Sequence, residues 1–253
     1  MSKMCSKKNQ EQAMKKYSRL LLGIFFIISS ILLTQCDSPL SDEPLNDPSK
    51  ISPTLSVERT LDNTKTTTGE AIAFLFDKNL NLVKIMDGGV SVNGTNLTLE
   101  YLITGGPYYE TSGNYPIFLN TNYTITVTMS NGDTYDSTIR TQFQELHTFN
   151  IPATFNHTDS VQVTWEEVIQ DYPMSIEFSY DDGDDVGVVY VDIPEDSVDT
   201  GSYTIPPDNF TELAGKTCKA KLISEKQGAA NEHFKETASI SSKIAIVEEC
   251  HIN

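Results

Sequence analysis

From Leu55 to the C-terminus, apolar and polar residues alternate in short runs, and most runs are closed by Gly, Pro, Asn or Asp. A two-residue period puts successive side chains on opposite faces of an extended backbone, so one face can be buried while the other meets water. A chain written this way folds into antiparallel sheets stacked face to face. The best helical candidate in this region, residues 208–214, is only about two turns long. The expected fold class is therefore all-β, with β-sandwiches in tandem.

Particular segments fix the reading. In residues 69–76, Ala71, Ala73 and Leu75 alternate with Ile72, Phe74 and Phe76, which is too apolar on both sides for an edge and predicts a central strand. Residues 90–97 read as a hairpin about Asn93-Gly94, because both central positions of that turn need positive φ and these residue types adopt it at little cost. A second hairpin joins residues 123–129 to 134–139 through Asn131-Gly132. Alternation fades over residues 142–156, which include Pro152, and a boundary is expected near 148. Six further strands are expected at 160–165, 174–180, 186–193, 202–205, 216–224 and 237–247. The chain is thus organised as a leader (1–35), a tether (36–54), and sandwich modules over 55–147 and 148–253.

Two stretches carry a family resemblance. Residues 117–123, Ile-Phe-Leu-Asn-Thr-Asn-Tyr, resemble the tyrosine corner of fibronectin type III and related immunoglobulin-like domains, with Leu119 where that family often has Pro. The resemblance implies that the Tyr123 hydroxyl ties back to the preceding chain. Residues 160–165 place Val161, Val163 and Trp165 on one face and resemble the second strand of a fibronectin type III domain, which implies an inward Trp anchoring the core.

The N-terminus is of another kind. Residues 20–33 form an apolar run behind a basic stretch, shorter than the ~20 residues that a membrane span needs, and read as the hydrophobic region of a signal peptide. The run ends in Leu33-Thr34-Gln35-Cys36, which resembles the lipobox of bacterial lipoproteins, although Gln35 stands where that family usually has a small residue. The resemblance implies cleavage before Cys36 and acylation of its thiol, anchoring the chain to a membrane without a spanning helix. The alternative is an uncleaved or non-lipidated signal. Residues 37–50 are rich in Pro, Ser and acid, the composition of a tether, and resemble the export signal that sends Bacteroidota lipoproteins to the outer face of the outer membrane. Surface exposure is the expectation, with the periplasmic face as the alternative.

The net charge of −17 understates the acidity of the chain beyond the leader, whose six basic residues against Glu11 leave −22 for the remainder. A nucleic-acid partner is excluded on that ground, because phosphates are neutralised by Lys and Arg.

No catalytic signature stands out. The nucleophile elbow, zinc-protease, phosphate-loop and dinucleotide patterns are absent, no cofactor is implied, and His147, His157, His233 and His251 fall in linkers, a loop or the tail. Beyond Cys5 in the leader and Cys36, the remaining cysteines are Cys218 and Cys250, at one end of an expected last hairpin. A disulfide between them would close a 32-residue loop, restricting the unfolded chain by about 3–4 kcal/mol; two thiols without nearby ligands make no zinc site. Asp181, Asp182, Asp184 and Asp185 flank Gly183, and clustered carboxylates suit calcium, but Asp and Gly are also what a tight turn uses. The segment 105–115 reads as an aromatic loop, with Tyr108, Tyr109 and Tyr115 able to face sugars or protein and Glu110 and Asn114 able to bond hydroxyls. Its alternative is packing of Tyr108 and Tyr115 across a hairpin base. Asp136-Ser137-Thr138, Asp159-Ser160-Val161 and Asp196-Ser197-Val198 match the short acceptor pattern of Bacteroidota O-glycosylation.

The expected role is non-catalytic binding, adhesion or scaffolding at the cell envelope, with a protein or glycan ligand. An accessory glycan-binding lipoprotein of an outer-membrane uptake system is the alternative, and a hydrolase with an unrecognised site is the rival from another class.

Overall fold

The computed structural model describes residues 43–253 except 63, 103–105, 167–171, 182 and 184–185. The leader, Cys5, Cys36 and the three aspartates Asp182, Asp184 and Asp185 lie outside the described residues.

The fold is all-β. In the first half, β1 (Ser52–Leu61) and β2 (Thr67–Phe76) pair antiparallel, setting Leu55 beside Ala73 and Val57 beside Ala71. β2 continues into β6 (Pro107–Glu110) and then β5 (Thr98–Tyr101). A second sheet orders β4 (Thr95–Asn96), β3 (Gly89–Val92), β7 (Asn122–Thr128) and β8 (Thr134–Arg140). Val90, Val92, Ile125, Val127 and Ile139 of that sheet share one buried cluster with Leu55, Val57 and Leu75 of the other, which makes the pair a sandwich. The β3–β4 turn is the expected one, with Asn93 at φ 46° and Gly94 at φ 79°.

The second half repeats the plan. β10 (Val161–Thr164) pairs with β13 (Ser202–Ile205) in a small sheet. It covers β11 (Met174–Asp181), β12 (Val186–Ile193), β14 (Thr217–Ala229) and β15 (Ser239–Ile252), and the short β9 (Thr154–Phe155) runs parallel beside the end of β15. Val161, Val163 and Ile205 meet Ile176, Phe178 and Leu222 there, with Trp165, 3% exposed, in the same cluster. The helix expected at 208–214 is a 3-10 segment, Pro207–Leu213, because Phe210 and Leu213 turn into this core. This two-sheet arrangement is that of an immunoglobulin-like or fibronectin type III-like sandwich.

The halves are sewn into one sheet. β1 pairs parallel with β15 from Thr54↔Ser239 to Leu61↔Ile246, giving a nine-stranded sheet whose main order is β12-β11-β14-β15-β1-β2-β6-β5. The last hairpin therefore outruns the strands expected at 216–224 and 237–247. Glu225–Ala229, polar enough to read as a turn, continues in register against Ser239–Lys243, and Ile240 is buried in the first core while Ile244 and Ile246 belong to the second. Between these cores lies a polar layer. Gln142, 1% exposed, donates from Nε2 to the Ser224 carbonyl (3.0 Å) and accepts at Oε1 from the Ser242 hydroxyl (3.2 Å). No helix among the described residues is long and apolar enough to cross a membrane.

Candidate functional site

The face of the nine-stranded sheet turned away from both cores carries the most developed arrangement of side chains. Cross-strand register lines up Tyr190, Glu177 and Lys221 on β12, β11 and β14, and Lys243, Glu58 and Glu70 on β15, β1 and β2. The Lys221 ammonium reaches across β15 and forms an ion pair with Glu58, whose carboxylate also accepts from the Thr60 hydroxyl at 2.7 Å. Glu58 is 8% exposed. Burial alone would push its carboxyl pKa up, but the Lys221 charge and hydrogen bond outweigh it and hold the group below its ordinary value. Glu70 goes the other way, raised first by burial and then by the neighbouring Glu58 charge.

A shallow depression of about 260 Å³ opens here, lined by Glu58, Glu70, Thr60, Thr68, Asn114 and Lys221 among others. No histidine or cysteine is among its lining residues. The expected hydrolase signature, acids converging with a His, is not what this depression presents. Three of the four histidines are engaged elsewhere, His157 with the Asn253 carbonyl, His233 with Asn231 and His251 with Thr217.

The aromatic segment expected as a loop is the strand β6, because Pro107–Glu110 pairs with β5 on one side and reaches β2 on the other. Strand geometry sends its two tyrosines to opposite faces. Tyr109 is buried in the first core, where its hydroxyl accepts from the Ile85 amide (2.8 Å). Tyr108 lies on the outer face, stacked on Phe74 with centroids 5.5 Å apart, and Phe74 stacks in turn on Phe76 at 6.3 Å. Its phenol pKa is raised by burial, then by the Glu110 charge and by the hydrogen bond that its hydroxyl donates to that carboxylate. Tyr115 packs against the first core and its hydroxyl donates to the Val92 carbonyl at 3.4 Å. The three tyrosines thus form no common platform, and Tyr108 and Tyr115 do not pack on one another across a hairpin base. Asn114 is occupied with the fold: its Oδ1 accepts from the Gly69 amide (2.8 Å), where the chain comes so close that a Cβ on Gly69 would lie 2.2 Å from the Tyr115 carbonyl oxygen.

Cys218 and Cys250 are buried thiols on directly opposed residues of β14 and β15. Burial pushes both thiol pKa values up, Cys250 to about 12 with a further contribution from Cys218. Of the four aspartates of the acidic turn only Asp181 is described, and its Oδ1 accepts from the Gly183 amide (2.9 Å), with Gly183 at φ 89°, which is turn chemistry. Of the three acceptor-like serines, Ser160 is exposed, whereas Ser137 is 2% exposed with its hydroxyl accepting from the Asn231 amide, so that position is closed to modification in the folded chain. Sequence reasoning missed Glu58, Glu70 and Lys221, since no local pattern ties residues that far apart. The one available signal was Phe74 and Phe76, which made β2 apolar on its second face.

No protein-family model matches the sequence, and no curated protein matches it. Among solved structures, the chain is similar to the Yersinia pseudotuberculosis adhesin InvE, at 13% identity and TM-score 0.23, covering 80% of this chain and 60% of that one. It is also similar to the chicken CNTN1 FN1-FN3 domains, at 12% identity and TM-score 0.24, covering 81% and 64% respectively. The chain thus spans less than two thirds of either. The fold assignment rests on the strand order and on the packing of sheet against sheet in each half.

Proposed function

We propose that this chain is a lipid-anchored cell-envelope protein with a non-catalytic binding role, held to the outer membrane through Cys36 and presenting the outer face of its long sheet to a macromolecular partner. The observation that carries the binding role is that this face runs unbroken through both halves. Eight register pairs between β1 and β15 fix it, and it bears a mixed seam of carboxylates and lysines flanked by aromatic rings. A broad, rigid, amphipathic surface suits a partner of similar extent better than a small molecule. The leader pattern and the acidic tether support the anchor and the surface location.

The anchor is tested by metabolic labelling of cells with a palmitate analogue. Label is expected on the full chain and lost in Cys36→Ala, and protease applied to intact cells is expected to release its peptides. Retained label in the variant overturns the anchor. The face is tested with a photo-crosslinking residue at Thr54 or Gln227, both exposed on it, against one at Asp199. Adducts confined to Asp199 overturn the assignment of the face.

A glycan ligand is the second reading, carried by the half-buried row Phe76, Phe74 and Tyr108. Retention on insoluble polysaccharide that falls in Tyr108→Ala supports it. Tyr109 is unsuitable for that test because its removal opens the core.

A further inference from the structure

An open sheet edge offers unpaired amides and carbonyls to any extended chain, and proteins guard such edges with charge, proline, bulges or brevity. The two larger sheets follow this rule at three of their four ends. β5 is four residues long and β4 two. On β8, the Asp136 and Arg140 carbonyls accept from the Asn231 and Lys226 side chains.

Among the described residues the fourth end, β12, is the least guarded. Its eight residues, Val-Gly-Val-Val-Tyr-Val-Asp-Ile, hold a single charge and no proline, and they pair one to one with β11 without a bulge. Val186, Val188 and Tyr190 point outward from it and are 58, 41 and 45% exposed. In a chain of net charge −17, this is a nearly neutral apolar strip on an edge.

We propose that β12 is a homotypic docking edge, on which two copies of this chain pair antiparallel across a two-fold axis at Val189. A two-fold makes the contact self-complementary. In this register Val188 of one copy faces Tyr190 of the other, twice over, a β-branched residue against an aromatic as cross-strand pairing favours. Asp192 falls opposite Val186. A register centred one residue earlier sets Asp192 against the acidic run preceding β12, so like charges disfavour it. The choice of a second copy over another extended segment rests on this match. A basic strand from a different protein would gain no ion pair along the neutral stretch, whereas the strip fits itself. The remaining charge on each copy is repulsive, so association strengthens as salt screens it.

The test uses the full chain on cells and in detergent. With Val188→Cys/Tyr190→Cys, mild oxidation is expected to give a covalent dimer at least about tenfold more abundant than with Thr98→Cys on the opposite edge. By sedimentation, the unaltered chain is expected to dimerise more strongly between about 50 and 500 mM salt, and Val188→Lys to remain monomeric. The proposal is overturned by a chain that stays monomeric throughout, by equal crosslinking from Thr98, or by a Val188→Lys dimer. An association that weakens with salt overturns it too.

Discussion

Gln142 and Ser242, one hundred residues apart, meet at 3.2 Å in a buried layer between two hydrophobic cores. Gln142 closes the first half of the chain, and Ser242 sits on the last strand between Ile240, which packs into the first core, and Ile244, which packs into the second. Because the amide also donates to the Ser224 carbonyl, it ties both arms of the final hairpin to the end of the first sandwich. Gln142→Leu leaves a buried carbonyl and hydroxyl without their partner, at a cost of about 2–3 kcal/mol. A urea titration is expected to show a lower midpoint with unchanged slope. An unchanged midpoint would mean that water satisfies both groups.

The Glu58–Lys221 pair carries the pH dependence of the sheet. The folded state holds Glu58 below the ordinary 4.5, so its contribution is in place above that value and is lost as acid takes the pH down through the folded pKa. Lys221, whose burial is outweighed by Glu58, is held above the ordinary 10.5, so its contribution is in place below that value and is lost as the pH climbs through the folded pKa. Glu70, shifted upward, opposes folding once ionised and gives some stability back on mild acidification. Lys221→Ala strands a buried carboxylate and should cost about 3–5 kcal/mol at neutral pH. Glu58→Gln/Lys221→Met should restore most of it. The variant Lys221→Ala alone is expected to gain stability from pH 7 towards about 5, the reverse of the Glu58 dependence in the parent. A parallel pair of profiles would show that Glu58 finds another cation.

Much of this fold was legible because its information is local. Asn93-Gly94 needed only two residues to specify a turn, and the two-residue period of β7 put Tyr123, Ile125 and Val127 inward. The tyrosine corner was equally readable: the Tyr123 hydroxyl donates to the Pro116 carbonyl (3.0 Å) and accepts from the Phe118 amide (2.7 Å). What resisted reading is long-range. Glu225–Ala229 looks like a loop until the first core is there to receive its hairpin, and nothing near β1 announces a parallel partner close to the C-terminus. The surface seam was hidden for the same reason, since Glu58 acquires its character chiefly from a lysine two strands away. The segment around Tyr108 misled because two adjacent tyrosines suggest one exposed patch, whereas a strand splits them between faces.

Cys218 and Cys250 are free, buried thiols on opposed residues, and a cross-strand disulfide between them is expected only by exchange with an oxidised dithiol while the hairpin is still open. Two thiol protons and two electrons pass to that oxidant, so the oxidised chain is about 2 Da lighter. Once folded, thiols raised by burial are poor nucleophiles. Chain folded under reducing conditions is expected to resist thiol reagents until denatured. Chain exported to an oxidising compartment is expected to yield a single peptide joining the two residues in a non-reducing digest. Separate alkylated peptides from the exported chain would show that the pair stays reduced.

The two halves do not have equal claims to fold alone. A fragment ending at residue 147 lacks Phe234 and Ile240, both buried in the first core, and leaves β1 without its parallel neighbour. Each missing side chain forfeits about 1.5–3 kcal/mol of burial, and the bare edge of β1 adds eight unpaired positions. A domain of this size has a net stability of only about 5–15 kcal/mol. The fragment 43–147 is therefore expected to give a broad, poorly cooperative melt with collapsed amide dispersion. The full chain, held together by β1–β15 pairing and the Gln142 layer, should unfold in one transition seen alike by near- and far-ultraviolet circular dichroism. Two resolved transitions in the full chain, the first matching that of the isolated fragment, would mean that the shared sheet transmits little energy between the sandwiches and that each core is sufficient for its own half.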